Sequence, residues 1–414
     1  MDLTRRAFLH SATLAAAGLA ARQSPGFAQP ALPVSLRDRY PHLRRHFAFE
    51  YYPWYRNDPW EHWPEGGHHP PADFGSNYLP ALGLYDSRSS AVLEQHARWI
   101  AEAGVGAIDV SWWGIDSHED QVIPTLMDVM ADHDIRVTFN IEPYARDHAR
   151  HYARDLLYLI RNYGDHRSWD CFLLLDRADG STGPVFKSFR TILLPTTTDC
   201  HGVTRPVADY TPDEVWRRQT DAIRTLMRDD FDHLTLLADS SQVARTRAAG
   251  FDGIALFDNY EAPDIWPHHA SNCTGRDLMF SFQINPGFDS IVFPHPEPNT
   301  CYVAPAFAPG GGVYDWTQAA DRAAAEALSR GRIEKSFEAT VGLQTRKELT
   351  NARVGFFFVY INSFNEWHEG HQFEPARNRA ELTPAQRALG YHNAEHGDYR
   401  LQTLRRLIEN VIAA

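Results

Sequence analysis

The chain has 414 residues, a net charge of −13 and an ordinary apolar fraction of 43%. This length allows one large domain or two smaller ones, with a core that needs no disulfide or metal to be stable. The acidic balance argues against nucleic acid or an anionic membrane surface as a partner. These totals therefore predict a globular protein.

The first 28 residues have the pattern of an export signal. An Arg5-Arg6 pair precedes an apolar stretch at 12–21, and small residues follow at the positions that a signal peptidase reads. The apolar stretch is too short to span a membrane. We predict a twin-arginine signal peptide at 1–28, a polar linker at 29–46, and a bacterial periplasmic or secreted protein without stable membrane insertion. A cytoplasmic chain with a chance arginine pair is the alternative.

Strand and helix patterns alternate along the rest of the chain. Apolar runs rich in β-branched and aromatic residues predict strands within 47–55, 105–113, 135–144, 171–175, 185–194, 234–238, 253–257, 278–284 and 354–361. The first of these strands stops at Pro53, because proline cannot donate to a strand ladder. Amphipathic periodicity predicts helices at 87–103, 121–133, 149–163, 212–227 and 399–412, and two more within 315–351. Thr211 is expected to cap the helix at 212–227, with Glu214 completing a capping box.

This alternation predicts parallel βαβ units. With about eight strands, the fold class is α/β, a single (β/α)8 TIM barrel over 47–414 with long loops at the C-terminal face of the strands. A doubly wound open sheet is the alternative. The long loop 56–86 has the length of a functional loop, and the segment 195–210 reads as irregular.

Two glutamates follow the last predicted strand. The strand pattern breaks at Asn362, so Glu366 and Glu369 lie on the loop that leaves the strand's C-terminal end, where barrel enzymes do their chemistry. Two close carboxylates beside aromatic rings suit glycoside hydrolysis, which needs one acid protonated and the other ionised. A solvated loop with capping acids is the plainer alternative.

No pattern typical of a metal site is present. The histidines of HEGH, His368 and His371, are three apart rather than four as in the helical zinc motif. No CxxC pair occurs among the four cysteines, Cys171, Cys200, Cys273 and Cys301. We predict neither metal nor cofactor, and buried free thiols by default, although an exported protein could hold disulfides.

Eight segments carry a family resemblance: YYPWY (51–55), HW (62–63), DFGSNYLPALGLYDSR (73–88), SWW (111–113), VTFNIEPY (137–144), GFDGI (250–254), LQTR (343–346) and SFNEWHEG (363–370). Together they resemble glycoside hydrolase family 99, the endo-acting α-mannosidases and α-mannanases, in the family's order over residues 47–376. The resemblance implies a retaining, endo-acting hydrolase of α-1,2-mannosides that works through a 1,2-anhydro sugar. Glu366 would be the base toward the sugar's own 2-hydroxyl, and Glu369 the general acid and base.

The implied substrate is an α-mannan-like oligo- or polysaccharide. The side chains expected to bind it are Tyr52, Trp54, His62, Trp63, Trp113, Glu142, Tyr144, Asn365, Trp367 and His368. Trp113 stands where bacterial members keep Trp, which favours mannose over glucose in the −2 subsite, although a core Trp is the plainer interpretation. Glu142 could equally form a salt bridge in the barrel mouth.

The chain also departs from the family pattern. Asn140 stands where His is usual, Phe288 where Tyr is usual and His371 where Thr is usual, and the Tyr-rich strand expected at 185–191 reads VFKSFRT. Each departure is expected on the substrate side rather than at the two glutamates. The chemistry is therefore expected to be retained while the sugar specificity stays open.

Three other functions compete with this one. A related glycosidase with shifted glycan specificity follows from the departures. A metal-dependent enzyme is suggested by the twenty-one histidines, and a non-catalytic glycan-binding barrel by the aromatic content. The retained glutamate pair argues against mere binding, because binding alone does not require both acids.

Overall fold

The computed structural model describes residues 35–257, 262–291, 307–308 and 310–413. The predicted signal peptide lies outside the described residues. Within the predicted linker, the chain forms two helical turns, Leu36–Arg39 and Leu43–His46. Tyr40 between them is buried, and its hydroxyl donates to the Gly355 carbonyl at 3.1 Å. This segment therefore packs against the body of the protein.

Eight parallel strands follow one another around a barrel. They are β1 (Phe47–Tyr51), β2 (Ala107–Trp112), β3 (Arg136–Ile141), β4 (Thr182–Ser188), β5 (Thr235–Ala238), β6 (Gly253–Leu256), β7 (Met279–Phe282) and β8 (Val359–Ile361). Neighbours in this order pair in parallel, and β8 pairs with β1 with Phe47 opposite Val359. A single parallel bridge between Ile284 and Ile361 joins the β7 and β8 segments. The predicted (β/α)8 barrel is confirmed, and the open doubly wound sheet is wrong because the strand order is sequential and returns to its start.

A helix follows each strand and packs outside it. The helices are α1 (Ser90–Glu102), α2 (His118–Asp132), α3 (Tyr152–Leu159), α4 (Asp213–Met227), α5 (Val243–Ala248), α6 (Trp266–Thr274), α7 (Ala319–Thr345) and α8 (Tyr399–Ala413). Because each connection runs back outside the sheet, all eight strands point their carboxyl ends at the same rim. The glutamate loop leaves that rim after β8.

The strands are buried on both faces, which explains their unbroken apolar pattern. On β1, Phe47 and Phe49 pack into the layer between strands and helices, whereas Ala48 packs with the residues inside the barrel. Glu50 follows Ala48 by two positions and is also buried. Period-two alternation therefore directs a carboxylate into the barrel interior.

The strand β8 is shorter than the sequence predicts, Val359–Ile361 instead of 354–361. Its entry is held by a side chain of α7 instead of a strand ladder. Buried Gln344 accepts the Phe358 N–H and donates to the Phe358 carbonyl, both at 3.0 Å. This pairing gives the conspicuous LQTR segment a structural role.

Two local predictions are wrong. The helix α4 begins at Asp213, its N-cap position is Pro212, and no side chain caps it, so Thr211 does not serve as the cap. The segment 195–210 is not irregular throughout, because Thr196–Thr198 and Thr204–Pro206 form an exposed antiparallel hairpin. Both errors lie where local capping and turn preferences compete with each other.

The cysteines divide into two kinds. Cys171 and Cys273 are free and buried, as predicted, and burial raises the pKa of each thiol to about 12. Cys200 is disulfide-bonded, so the default of a free thiol is wrong there. Cys301 lies outside the described residues. None of the helices within the described ranges has the length and apolarity to cross a membrane.

Candidate active site

The glutamate loop is anchored to the barrel rim by backbone and side-chain bonds. The Phe364 N–H donates to the Glu50 carbonyl at 2.8 Å, which continues the β1–β8 pairing past the strand. Asn365 then donates to the Tyr52 carbonyl at 2.9 Å and accepts the Tyr52 N–H at 2.8 Å. Since Glu366 follows at once, its position is fixed relative to both β1 and β8.

Glu366 is the more enclosed of the two acids, with a side chain 2% exposed. His368 Nδ1 lies 3.2 Å from its Oε1, and His368 Nε2 lies 2.8 Å from the His62 carbonyl. Burial lowers the pKa of His368, but the hydrogen bond and the negative charge of Glu366 outweigh burial and raise it overall. The raised pKa favours the protonated imidazole opposite the Glu366 carboxylate, as suits a carboxylate that works as a base.

Glu369 lies nearer the solvent, with a side chain 15% exposed. Its Oε2 lies 2.8 Å from His371 Nε2, and His371 Nδ1 lies 2.9 Å from Ser363 Oγ. The same Ser363 hydroxyl accepts the Glu366 N–H at 2.8 Å. The two acids are therefore held by different histidines and linked through one serine.

The loop turns sharply between Glu369 and His371. Gly370 has φ of +68°, and a Cβ there would lie 2.2 Å from the Asp289 carbonyl oxygen. Only glycine combines this backbone conformation with that close approach. The glycine of the HEG motif is what brings His371 back against Glu369.

Aromatic side chains form one wall beside Glu366. The Trp54 ring stacks on His62 with centroids 4.4 Å apart and lies 4.7 Å from the Tyr52 ring. Trp113 and His368 complete the group at 6.3 and 6.2 Å from Trp54. The structure thus brings five of the predicted binding residues into one cluster.

Three other predicted binding residues are fully buried supports. Trp63 donates its indole N–H to the Tyr85 carbonyl at 2.9 Å, and Trp367 donates to Glu374 at 2.9 Å. Asn365 is occupied by Tyr52, as described above. In this structure these side chains hold the wall in place rather than line it.

Glu142 and Tyr144, both after β3, lie in different surroundings. Glu142 is buried and accepts hydrogen bonds from Ser111 at 2.8 Å and Asn140 at 2.9 Å. Ser111 also accepts the Trp113 indole N–H at 3.1 Å, which ties Glu142 to the aromatic wall. Tyr144 instead donates its hydroxyl to Asp155 on α3. Glu142 therefore belongs to the cluster, and the Tyr144 hydroxyl points to the helix layer.

A charged group lies inside the barrel below the site. Buried Lys187 on β4 pairs with Glu50, which also accepts from Gln283. Asp109 on β2 is buried, and neither of its oxygens has a hydrogen-bond partner among the described residues. Burial raises the pKa of Asp109 well above its usual value, although the Lys187 charge opposes this. Burial therefore favours the neutral form of Asp109, beside the ion pair of Lys187 and Glu50.

The expectation that the departures avoid the glutamates is wrong for His371, which bonds Glu369 directly. Asn140 contacts Glu142, on the expected substrate side. Ser363 was missed altogether by sequence reasoning. The available signal was a hydroxyl directly before the glutamates at a strand end, but nothing in the sequence reveals which side chains the loop folds onto it.

Within the ranges that the structure describes, no group of three or more His, Cys, Asp and Glu side chains converges as metal ligands would. His368 and His371 face different glutamates, Glu366 and Glu369. The arrangement is that of two separately held carboxylates.

Together, a (β/α)8 barrel, two carboxylates after its eighth strand and an aromatic wall beside them define a barrel glycosidase. A sequence model of the family described as Glycosyl hydrolase family 99 matches residues 40–177. Over this part of the barrel, the chain is similar to glycoside hydrolase family 99.

Several proteins of that family or with related names are similar to the chain over most of its length. The glycoprotein endo-alpha-1,2-mannosidase of Mus musculus is 26% identical over 367 residues, which is 79% of this chain and 67% of the mouse protein. The human glycoprotein endo-alpha-1,2-mannosidase-like protein is 27% identical over 398 residues, covering 87% and 75%. The GH99 endo-alpha-mannosidase of Bacteroides thetaiotaomicron superposes with a TM-score of 0.62 at 20% identity, over 89% of this chain and 97% of that one, which supports the fold.

Proposed function

We propose that the protein is a retaining, endo-acting α-mannoside hydrolase that cuts α-1,2 linkages in an oligo- or polysaccharide. The observation that supports this best is the contrast between the two acids. Glu366 is enclosed and faces His368, whose pKa is raised, whereas Glu369 is part-exposed at the mouth. This contrast suits a base at Glu366 and, at Glu369, an acid that exchanges a proton with a leaving group or water.

In the first step, Glu366 takes the proton from the sugar's 2-hydroxyl. That oxygen attacks C1 and forms the 1,2-anhydro sugar as the glycosidic bond breaks. Glu369 gives its proton to the departing oxygen. The group that leaves is therefore a neutral alcohol, and Glu369 becomes ionised.

In the second step, the ionised Glu369 takes a proton from water, and the water oxygen attacks C1. The epoxide opens, and O2 recovers its proton from Glu366. Two inversions at C1 give net retention, and both acids return to their starting states. No cofactor takes part in this scheme.

The aromatic wall supplies a surface for sugar rings. Trp54, His62 and Trp113 present stacked or tilted rings beside Glu366, and Glu142 reaches the same group through Ser111. We assign Trp113 to the −2 subsite, where it favours mannose. Phe288 and Asn140 bear on the related alternative, a family member with shifted glycan specificity, since neither offers the group usual in the family.

The test is a hydrolysis screen of the mature chain from Gln29 on α-mannans and gluco-manno-oligosaccharides, with Glu366→Gln and Glu369→Gln run in parallel. Release of a disaccharide or longer product by the native chain, lowered by about two to four decades in each variant, is expected. A matched substrate without the 2-hydroxyl should not be cleaved. Equal cleavage of that substrate contradicts the anhydro-sugar route, and glycan binding without product would favour a binding protein.

We also propose export through the twin-arginine pathway to the periplasm or beyond. The Arg5-Arg6 pair supports this, as does the disulfide at Cys200, because such bonds persist in oxidising compartments. Replacing both arginines by lysine should hold the precursor inside bacterial cells. Unchanged secretion of that variant would exclude this route.

A further inference from the structure

The His371 side chain lies between Ser363 and Glu369, and packing fixes its orientation. The residue is buried, and its ring lies 6.0 Å from the Phe257 ring and 6.1 Å from the Phe288 ring. Its two nitrogens point in opposite directions, Nδ1 toward Ser363 and Nε2 toward Glu369. Because the neighbouring rings restrict rotation of the imidazole, it stays bonded to both Ser363 and Glu369.

The bonds around Ser363 fit one direction for each proton. Ser363 Oγ accepts the Glu366 N–H, and its own hydroxyl proton can be donated to His371 Nδ1 at 2.9 Å. In that arrangement a neutral His371 carries its proton on Nε2 and donates to Glu369 Oε2 at 2.8 Å. The chain of donors runs from the Glu366 backbone through Ser363 and His371 to the second acid.

We propose that His371 is a positioning residue for Glu369. It holds Oε2 with a donated hydrogen bond, so that the exchangeable proton is carried on Oε1 and passes from there to the leaving group. Ser363 holds the histidine in the tautomer that can donate. This inference rests on the function proposed for Glu369, and adds a residue that the family resemblance does not assign.

Other charged groups near this relay have their own partners. The Asp289 carboxylate accepts a hydrogen bond from His392 at 2.6 Å, and the Asp289 N–H donates to the Glu369 carbonyl. Lys187 lies 5.8 Å from the centroid of the Phe257 ring and pairs with Glu50. Glu366 faces His368. A change at His371 should therefore act on Glu369 first.

Two variants with amide side chains distinguish loss of the hydrogen-bond donor to Glu369 from loss of packing at position 371. In His371→Gln the amide nitrogen can take the place of Nε2 and still donate to Glu369, whereas in His371→Asn the shorter amide reaches only the Ser363 side. A donated bond to a carboxylate leads us to expect a kcat loss of about 10- to 100-fold in His371→Asn. His371→Gln should stay within about fivefold of the native enzyme, the size of a distorted neutral bond.

The pH dependence of kcat/KM and the dependence of the rate on the leaving group give two measurements that a loss of packing would not change. Loss of the donor disfavours the ionised form of Glu369, so the alkaline limb of kcat/KM should move to higher pH in His371→Asn and not in His371→Gln. The Asn variant's deficit should shrink on a substrate with a fluoride leaving group, which needs no proton. Equal losses in both variants, or a deficit independent of the leaving group, would overturn the proposal.

The proposal can also be tested without turnover. Nitrogen-15 NMR of the histidine side chains should show His371 of the native chain as the Nε2–H tautomer, and Ser363→Ala should abolish that preference. A native His371 protonated on Nδ1 would contradict the relay. If the native chain cleaves no glycan in the screen, the proposed function fails while this tautomer assignment still stands or falls by itself.

Discussion

At the scale of single residues, identical side chains have different chemistry because their surroundings differ. Glu50, Asp109, Glu366 and Glu369 are all carboxylates of one barrel. Glu50 pairs with Lys187, burial raises the pKa of Asp109, and Glu366 faces His368, whose pKa is raised. Environment rather than residue type therefore divides acid from base.

The pKa of His368 is a direct probe of Glu366. We expect NMR titration of the native chain to place it above the usual value of about 6.5, and below that value in Glu366→Gln, where burial dominates. Because the folded-state pKa is raised, this pair stabilises the protein fully at pH below the unfolded pKa, and the contribution is lost as pH rises through the folded pKa. A titration unmoved by Glu366→Gln would show that the two groups are not coupled.

Asp109 should tolerate neutralisation. Since burial disfavours the ionised carboxylate and Asn is neutral without a bound proton, Asp109→Asn is expected to leave the free energy of unfolding at pH 7 unchanged or higher. Because the folded-state pKa of Asp109 is raised, its contribution to the free energy of unfolding is fully present below the unfolded pKa of about 3.9 and is lost as pH rises through the folded pKa. The free energy of unfolding of Asp109→Asn should therefore fall less with pH above about 3.9 than that of the native chain.

The control for this change is Lys187→Met, which leaves Glu50 as an uncompensated buried charge. It should destabilise the fold by about 3 to 5 kcal/mol in urea unfolding. Equal costs for Asp109→Asn and Lys187→Met would mean that Asp109 is ionised in the folded protein.

At the scale of elements, the strand that delivers the glutamates is held from outside. Gln344 on α7 bonds both backbone groups of Phe358, so Gln344→Leu would remove the partner of the buried Phe358 N–H, whereas the Phe358 carbonyl would keep the Ser281 hydroxyl as a donor. We expect a loss of about 1 to 3 kcal/mol in unfolding free energy from the one group left unpaired. Gln121→Leu on α2, at an exposed position, should stay within about 0.5 kcal/mol.

Activity gives the second measurement for Gln344. If α7 positions β8 and its loop, Gln344→Leu should lower kcat even at temperatures where the variant remains folded. A variant that loses stability while keeping full kcat would place the effect in folding alone.

At the scale of the whole molecule, the thiols should report the disulfide state. Alkylation of the native chain should be slow, because Cys171 and Cys273 are buried and their thiols have raised pKa values. In denaturant without reductant, mass spectrometry should find these two labelled and Cys200 protected. Labelling of Cys200 before reduction would exclude the disulfide.

The barrel itself was predictable because its signals are local. Continuous apolar runs alternating with amphipathic helices specify parallel strands buried on both faces, and the break after β8 located Glu366 and Glu369. Strand ends were less accurate. The 354–361 run forms ladder only from Val359, because the Gln344 side chain replaces the ladder at Phe358.

The sequence by itself determined the fold class and the placement of Glu366 and Glu369 after the last strand, since periodicity and order along the chain are sufficient for both. Only the tertiary structure decided which neighbour each acid has. His368 and His371 are equivalent in sequence, each two positions after a glutamate, yet the turn at Gly370 and the Ser363 hydroxyl give them separate partners. Side-chain contacts across a loop depend on backbone direction in three dimensions, which linear spacing does not encode.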